Sequence, residues 1–150
     1  MSTFLRDRLG VMAVVLAASF ALAACAGLGS RRDSATVLQD TIELYNRSLQ
    51  AKKWRDAQVF WVKDKRPKFM EWIRSLPQGV RFASLIITHM DDTTPQDVED
   101  PVPTQVVYLS VERYSESSIS IKNEEWTQTW EYHKDVKSWE LVSQSAEELP

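Results

Sequence analysis

From Ser34 onward the spacing of apolar positions changes in kind. Ala35, Leu38, Ile42, Tyr45 and Leu49 recur at intervals of three and four. That period predicts an amphipathic helix over 34–51 with Ser34 as its N-cap. Lys52-Lys53 breaks the pattern, and Trp54–Val62, with Ala57, Phe60 and Trp61 apolar, predicts a second short helix. Phe69, Trp72, Ile73 and Leu76 form one stripe of a third helix over 65–76. Pro67 falls in its first turn, where a missing N–H costs little, and Pro77-Gln78-Gly79 ends it. From Val80 the period becomes two. Strands are expected at 80–90, 105–114, 124–132 and 138–143, with a polar loop over 91–103 and a turn at 133–137. Alternation assigns the faces. Ala83, Leu85, Ile87 and His89 are expected inward on the first strand and Val107, Leu109 and Val111 on the second, with Arg113 at the rim. Trp126, Gln128, Trp130 and Tyr132 are expected inward on the third strand, and Trp139 and Leu141 on the fourth. The other face carries Tyr108, Ser110, Glu112, Thr127, Thr129, Glu131 and Glu140, as a solvated or interfacial surface does. On the first strand Phe82, Ile86 and Met90 make that other face apolar as well.

The segment before Ser34 has a different pattern. Met1–Gly10 is mildly basic, and Val11–Ala24 (VMAVVLAASFALAA) carries no charge and no polar face. A spanning helix needs about 20 apolar residues, so this shorter run between a basic start and small residues reads as a secretory signal peptide over 1–24. Its end, Leu22-Ala23-Ala24-Cys25, resembles the lipobox of bacterial lipoproteins. The resemblance implies a diacylglyceryl group on the Cys25 thiol, cleavage before Cys25 and acylation of the new amine. Two or three acyl chains hold a membrane stably where one does not. Ala26 stands where Asp is the usual inner-membrane retention signal, which implies the periplasmic face of the outer membrane. Residues 25–33 are then the lipidated cysteine and a tether. The seven residues of Gly27–Asp33 reach at most about 25 Å.

Helices followed by antiparallel strands give an α+β domain over 34–143, its helices packed on a curved four-stranded sheet, with 144–150 as an acidic frayed tail. The order of three helices and a curved meander resembles the nuclear transport factor 2-like (cystatin-like) cone. The break Leu49-Gln50-Ala51-Lys52-Lys53-Trp54-Arg55-Asp56-Ala57 is similar to one these domains carry, and the closing hairpin Trp126–Val142 resembles their ending. Enzymes with this cone, such as ketosteroid isomerases and scytalone dehydratase, place an acid, a histidine or a tyrosine inside it. The resemblance thus makes His89, Trp126, Gln128, Trp130 and Tyr132 candidates for lining a pocket, with Tyr45 beside them.

Composition narrows the chemistry. The single cysteine excludes an intramolecular disulfide framework and a multi-thiolate zinc site. A net charge of −3 gives no general case for nucleic-acid binding. No Gly-x-Ser-x-Gly elbow, phosphate-cradling loop or His-Glu-x-x-His pair occurs. Asp91, Asp92, Asp97, Glu99 and Asp100 lack calcium-loop spacing and read as a solvated loop, and no metal or other cofactor is expected. No carboxylate is expected on an inward strand position, which leaves His89 as the weak catalytic candidate without an orienting acid. His133 is expected exposed in its turn. Charge is polarised: residues 47–81 carry +7 and residues 82–150 carry −10. A basic helical face of that kind can orient a tethered domain against anionic headgroups, or is simply solvated.

Three functions fit. The first is a non-catalytic, lipid-anchored envelope protein binding a protein partner or a small apolar ligand, with the outer sheet face as a candidate homodimer surface. The second is an isomerase or dehydratase using His89. It requires a carboxylate or tyrosine within hydrogen-bond reach of His89 in an open pocket. The third is a purely structural component with a filled cone.

Overall fold

The computed structural model describes residues 34–146. The expected signal peptide over 1–24, the expected lipidated Cys25 and tether over 25–33, and residues 147–150 of the expected tail lie outside the described residues. The described residues from Val37 onward belong to one compact unit, which carries the fold. Helix α1 is Ser34–Gln50, α2 is Trp54–Gln58 and α3 is Arg66–Ser75. Four strands follow, β1 Val80–Asp92, β2 Thr104–Ser115, β3 Ser118–His133 and β4 Ser138–Ala146. They pair in chain order as one antiparallel meander. The predicted α+β architecture, helices first and sheet second, is the one observed.

The apolar period of α1 does what it predicts: Leu38, Ile42, Tyr45 and Leu49 are all buried. Lys52 ends the helix at φ 54°, with the Lys53 N–H on the Ser48 carbonyl (2.9 Å) and the Lys52 N–H on the Leu49 carbonyl (3.1 Å). These two reverse bonds satisfy carbonyls that the helix itself leaves open, and they turn the chain into α2. The second helix is shorter than predicted. After Gln58 the chain turns, and Phe60–Val62 runs along the edge of β4 instead. There the Leu141 N–H donates to the Phe60 carbonyl (2.7 Å) and the Val62 N–H to the Leu141 carbonyl (3.1 Å). A sheet edge presents unpaired backbone groups, and here they recruit residues of suitable apolar character out of a helix. A 3-10 turn at Lys63–Lys65 leads into α3. Gly79 then takes φ 79° to bring the chain into β1, a conformation open to glycine and costly to most other residues.

The inward assignments hold on β2, on β3 and on β4 as far as Leu141. Val107, Leu109, Val111, Trp126, Gln128, Trp130, Trp139 and Leu141 are buried, and Tyr132 is half-buried against Trp139. The apolar ones join the helices in a single core. The first strand departs from simple alternation. Its pairing with β2 slips between Phe82 and Ser84 and again between Ile87 and His89. Each slip inserts a residue, Ala83 and then Thr88, and each reverses the face that follows. Phe82, Leu85, Ile87 and Met90 therefore all pack on the core, while Ala83 and His89 are exposed. The expected inward positions of Ala83 and His89 are corrected on this ground.

Strand bounds also shift. The third strand begins at Ser118, six residues before its predicted start, and the fourth continues to Ala146 rather than stopping at Ser143. A further slip between Thr129 and Trp130 makes Val142 the inserted residue and turns Gln144 inward, opposite Gln128. Among the described residues no helix is long and apolar enough to cross a membrane.

Candidate functional site

The inner face of the sheet is filled, and its polar groups are spent on one another. Trp130 donates its indole N–H to Gln128 Oε1 (3.0 Å), and Gln128 Nε2 donates to Gln144 Oε1 (2.9 Å). That same oxygen accepts the Tyr45 hydroxyl (3.0 Å). Burial pushes the Tyr45 phenol far above its ordinary range, against the opposing effect of its polar neighbours Trp61 and Gln144. A chain of this kind fixes the positions of these side chains in the core.

At the other end of β3 stands a carboxylate that alternation should have placed inward. Glu124 shares parity with Trp126 and Gln128, and its side chain is 9% exposed. One of its oxygens meets the Arg113 guanidinium, and the other accepts the Trp126 indole N–H at 3.1 Å. The expectation that no inward strand position carries an acid is therefore corrected. Both oxygens are occupied, so Glu124 pins Arg113 and Trp126 in place. Trp126 in turn lies between Phe82 (ring centroids 5.3 Å) and Trp72 (5.7 Å).

His89 is 64% exposed on the outer face, a consequence of the Thr88 insertion. It does have a carboxylate partner. Its Nε2 lies 2.7 Å from Asp91 Oδ1, and its ring stacks on Tyr108 at 5.9 Å and 28°. Asp91 belongs to β1 and not to the predicted loop, and the residue two along a strand faces the same way. The pair opens onto a concavity of about 530 Å³, whose far side is Glu125–Thr127. An acid on one ring nitrogen fixes a tautomer, as a general base requires. Here it does so at an exposed surface, the His89 side chain being 64% and the Asp91 side chain 46% exposed. His133 differs from expectation too. It closes β3 half-buried, 3.7 Å from Glu131 and 3.8 Å from Glu140. Arg66 contacts the same Glu140 at 3.8 Å from the helical side.

A second concavity lies between α3 and β4, and no strand alternation could have announced it. Its floor is Trp61 and Phe69, both buried, with Trp72 half-buried beside them. Val142, Ser143 and Gln144 form the opposite wall. The inserted residue of β4 shapes that wall, since it exposes the Val142 carbonyl to the Lys65 ammonium (2.5 Å) while turning Gln144 toward the core. Bulges commonly re-aim side chains beside binding sites. The rim carries Lys65, Lys68, Glu71 and Ser75. The volume, about 530 Å³, is that of a small-molecule site, typically about 300–1,000 Å³. The Trp61 Nε1 is buried and reaches no acceptor at hydrogen-bonding geometry.

No protein-family model matches the chain, and comparison with curated proteins finds no relative.

Function therefore rests on the sites themselves. Of the predicted pocket residues, Trp126, Gln128 and Trp130 are buried in the filled core, Tyr132 packs against it, and His89 faces out. Cys25 lies outside the described residues. The groove residues Phe69 and Trp72 were legible only as a helical stripe. Lys65 and Lys68 were legible only as part of a basic helical face, and Val142 and Gln144 had no signal in the sequence, because two distant segments make the groove. Among the described residues no group of three or more His, Cys, Asp or Glu side chains is placed to hold a metal ion.

Proposed function

We propose that the protein is a lipid-anchored envelope lipoprotein, held by Cys25 at the periplasmic face of the outer membrane. Its α+β domain, nuclear transport factor 2-like in type, binds a small apolar ligand in the groove between α3 and β4 and does not catalyse. The observation that supports binding is the groove itself, a concavity of about 530 Å³ floored by Trp61 and Phe69 beside a core that is otherwise full. Concave, largely apolar sites with a few polar groups at the edge are the usual form of ligand pockets.

Two measurements test the two halves. Metabolic labelling with a palmitate analogue is expected to mark the wild-type protein, whereas Cys25→Ser remains an unlabelled, uncleaved precursor. Equal labelling of both removes the anchor. Titration of the full-length protein with the neutral probe N-phenyl-1-naphthylamine is expected to quench tryptophan emission. Val142→Glu, which sets a charge on the groove wall, is expected to weaken that binding at least about ten-fold. Unaltered binding in a variant of wild-type circular dichroism would place the ligand elsewhere.

A second reading has one observation in its favour, the 2.7 Å contact between His89 and Asp91 beside the outer concavity. It makes the dyad a general base of the isomerase type. Loss of cellular function in His89→Asn, with folding and localisation intact, would favour it over the binding reading.

A further inference from the structure

We infer that the ligand of the α3–β4 groove is a single apolar chain ending in an anionic group, the anion held at the rim by Lys65 and Lys68. The inference rests on the groove being a binding site and goes on to name what it takes. Burial grades across the groove: Trp61 and Phe69 at the floor are buried, Lys65 is half-buried, and Lys68 and Glu71 are exposed. A chain seated on the floor thus brings its head group to the lysines. The Lys65 ammonium has three donors and gives one to the Val142 carbonyl, leaving two for a ligand. That bond also fixes its position on the groove wall. Long lysine side chains line apolar surface with their stems and keep the ammonium in water, which suits both residues to such a rim.

The charge at the mouth decides the sign of the head group. Lys65 and Lys68 stand against Glu71 alone among the lining residues, a balance of one positive charge. Ser143 and Gln144, the polar side chains on the wall, are both neutral, and the Gln144 Oε1 already accepts from Tyr45 and Gln128. A cationic head would meet two ammonium groups and one carboxylate, and a neutral head would leave the lysines unpaired by the ligand.

The test compares three ligands of one chain length on the full-length protein by isothermal titration: decanoate, decanol and decyltrimethylammonium. Decanoate is expected to bind about five-fold more tightly than decanol, the size of one partly exposed charge contact, and decyltrimethylammonium more weakly than either. Lys68→Gln is expected to remove most of the preference for decanoate, so that decanoate and decanol bind within about two-fold of each other. Lys53→Gln, on the exposed turn between α1 and α2, is expected to change neither. Equal affinity for decanoate and decanol would overturn the anionic head and leave the groove as an apolar site. Preference for the cation would overturn it in favour of Glu71. No binding of any of the three would remove the groove as a ligand site altogether.

Discussion

Truncation of Trp130 to alanine is expected to cost about 3–5 kcal/mol of stability, measured as a shift in the denaturant midpoint of the full-length protein. The ring is completely buried and packs edge-to-face with the Tyr45 ring, centroids 5.9 Å apart at 80°. Removal empties a large volume that the surrounding strands close only in part. It also takes away the donor to Gln128 Oε1, in a chain where Gln128 and Tyr45 both depend on Gln144. Loss of one partner leaves a buried acceptor without compensation. Thr129→Ala, one position along the same strand and on the opposite face, is expected to change stability by only about 0.5 kcal/mol. Comparable losses at the two positions would mean that the register of β3 is wrong.

The second large effect is expected at Glu124. Glu124→Ala removes the carboxylate that meets Arg113, whose own side chain is 14% exposed, and the acceptor for the Trp126 indole. Breaking a part-buried pair of this kind from one side is expected to cost about 3 kcal/mol, the low end for buried pairs, because the guanidinium loses its carboxylate while largely desolvated. Replacement of both members, Arg113→Met with Glu124→Leu, is expected to recover most of that loss. A matched apolar pair restores packing and removes both desolvation costs. Urea denaturation of the single and double variants measures it. If the double variant were as unstable as Glu124→Ala, hydrogen bonding to Trp126 rather than charge burial would account for the loss.

Much of this fold follows from periodicity. The three- and four-residue spacing of Leu38, Ile42, Tyr45 and Leu49 and the alternation through Trp126, Gln128 and Trp130 each place the right side chains in the core. What alternation does not predict is where a strand slips. The insertions at Ala83, Thr88 and Val142 each reverse a face, which moves His89 out and Gln144 in. A trace was present in β1, where Phe82 and Met90 are apolar on one parity and Leu85 and Ile87 on the other. That is the pattern expected of a strand that changes face, and equally of one apolar on both faces. Parity with Trp126 and Gln128 makes Glu124 legible as an inward position. Its partner Arg113 lies on the neighbouring strand, and only the pairing of β2 with β3 brings them together. The departure of Phe60–Val62 from helix was not legible, since the demand came from the β4 edge some eighty residues later. The groove was hidden for the same reason: the approach of α3 to β4 forms it, and neither segment is unusual alone.

The six tryptophans supply the most direct measurement of whether the groove between α3 and β4 is the binding site. Indole N–H resonances of full-length protein labelled with [15N]tryptophan can be followed during titration with decanoate. Trp61 and Trp72 line the groove, whereas Trp126 and Trp130 are sealed in the core with their N–H groups on Glu124 and Gln128. The account predicts saturable shifts for Trp61 and Trp72 and little movement of Trp126 and Trp130. Shifts centred on Trp126 and Trp130, or a saturable heat of binding with no shift at Trp61 and Trp72, would contradict it.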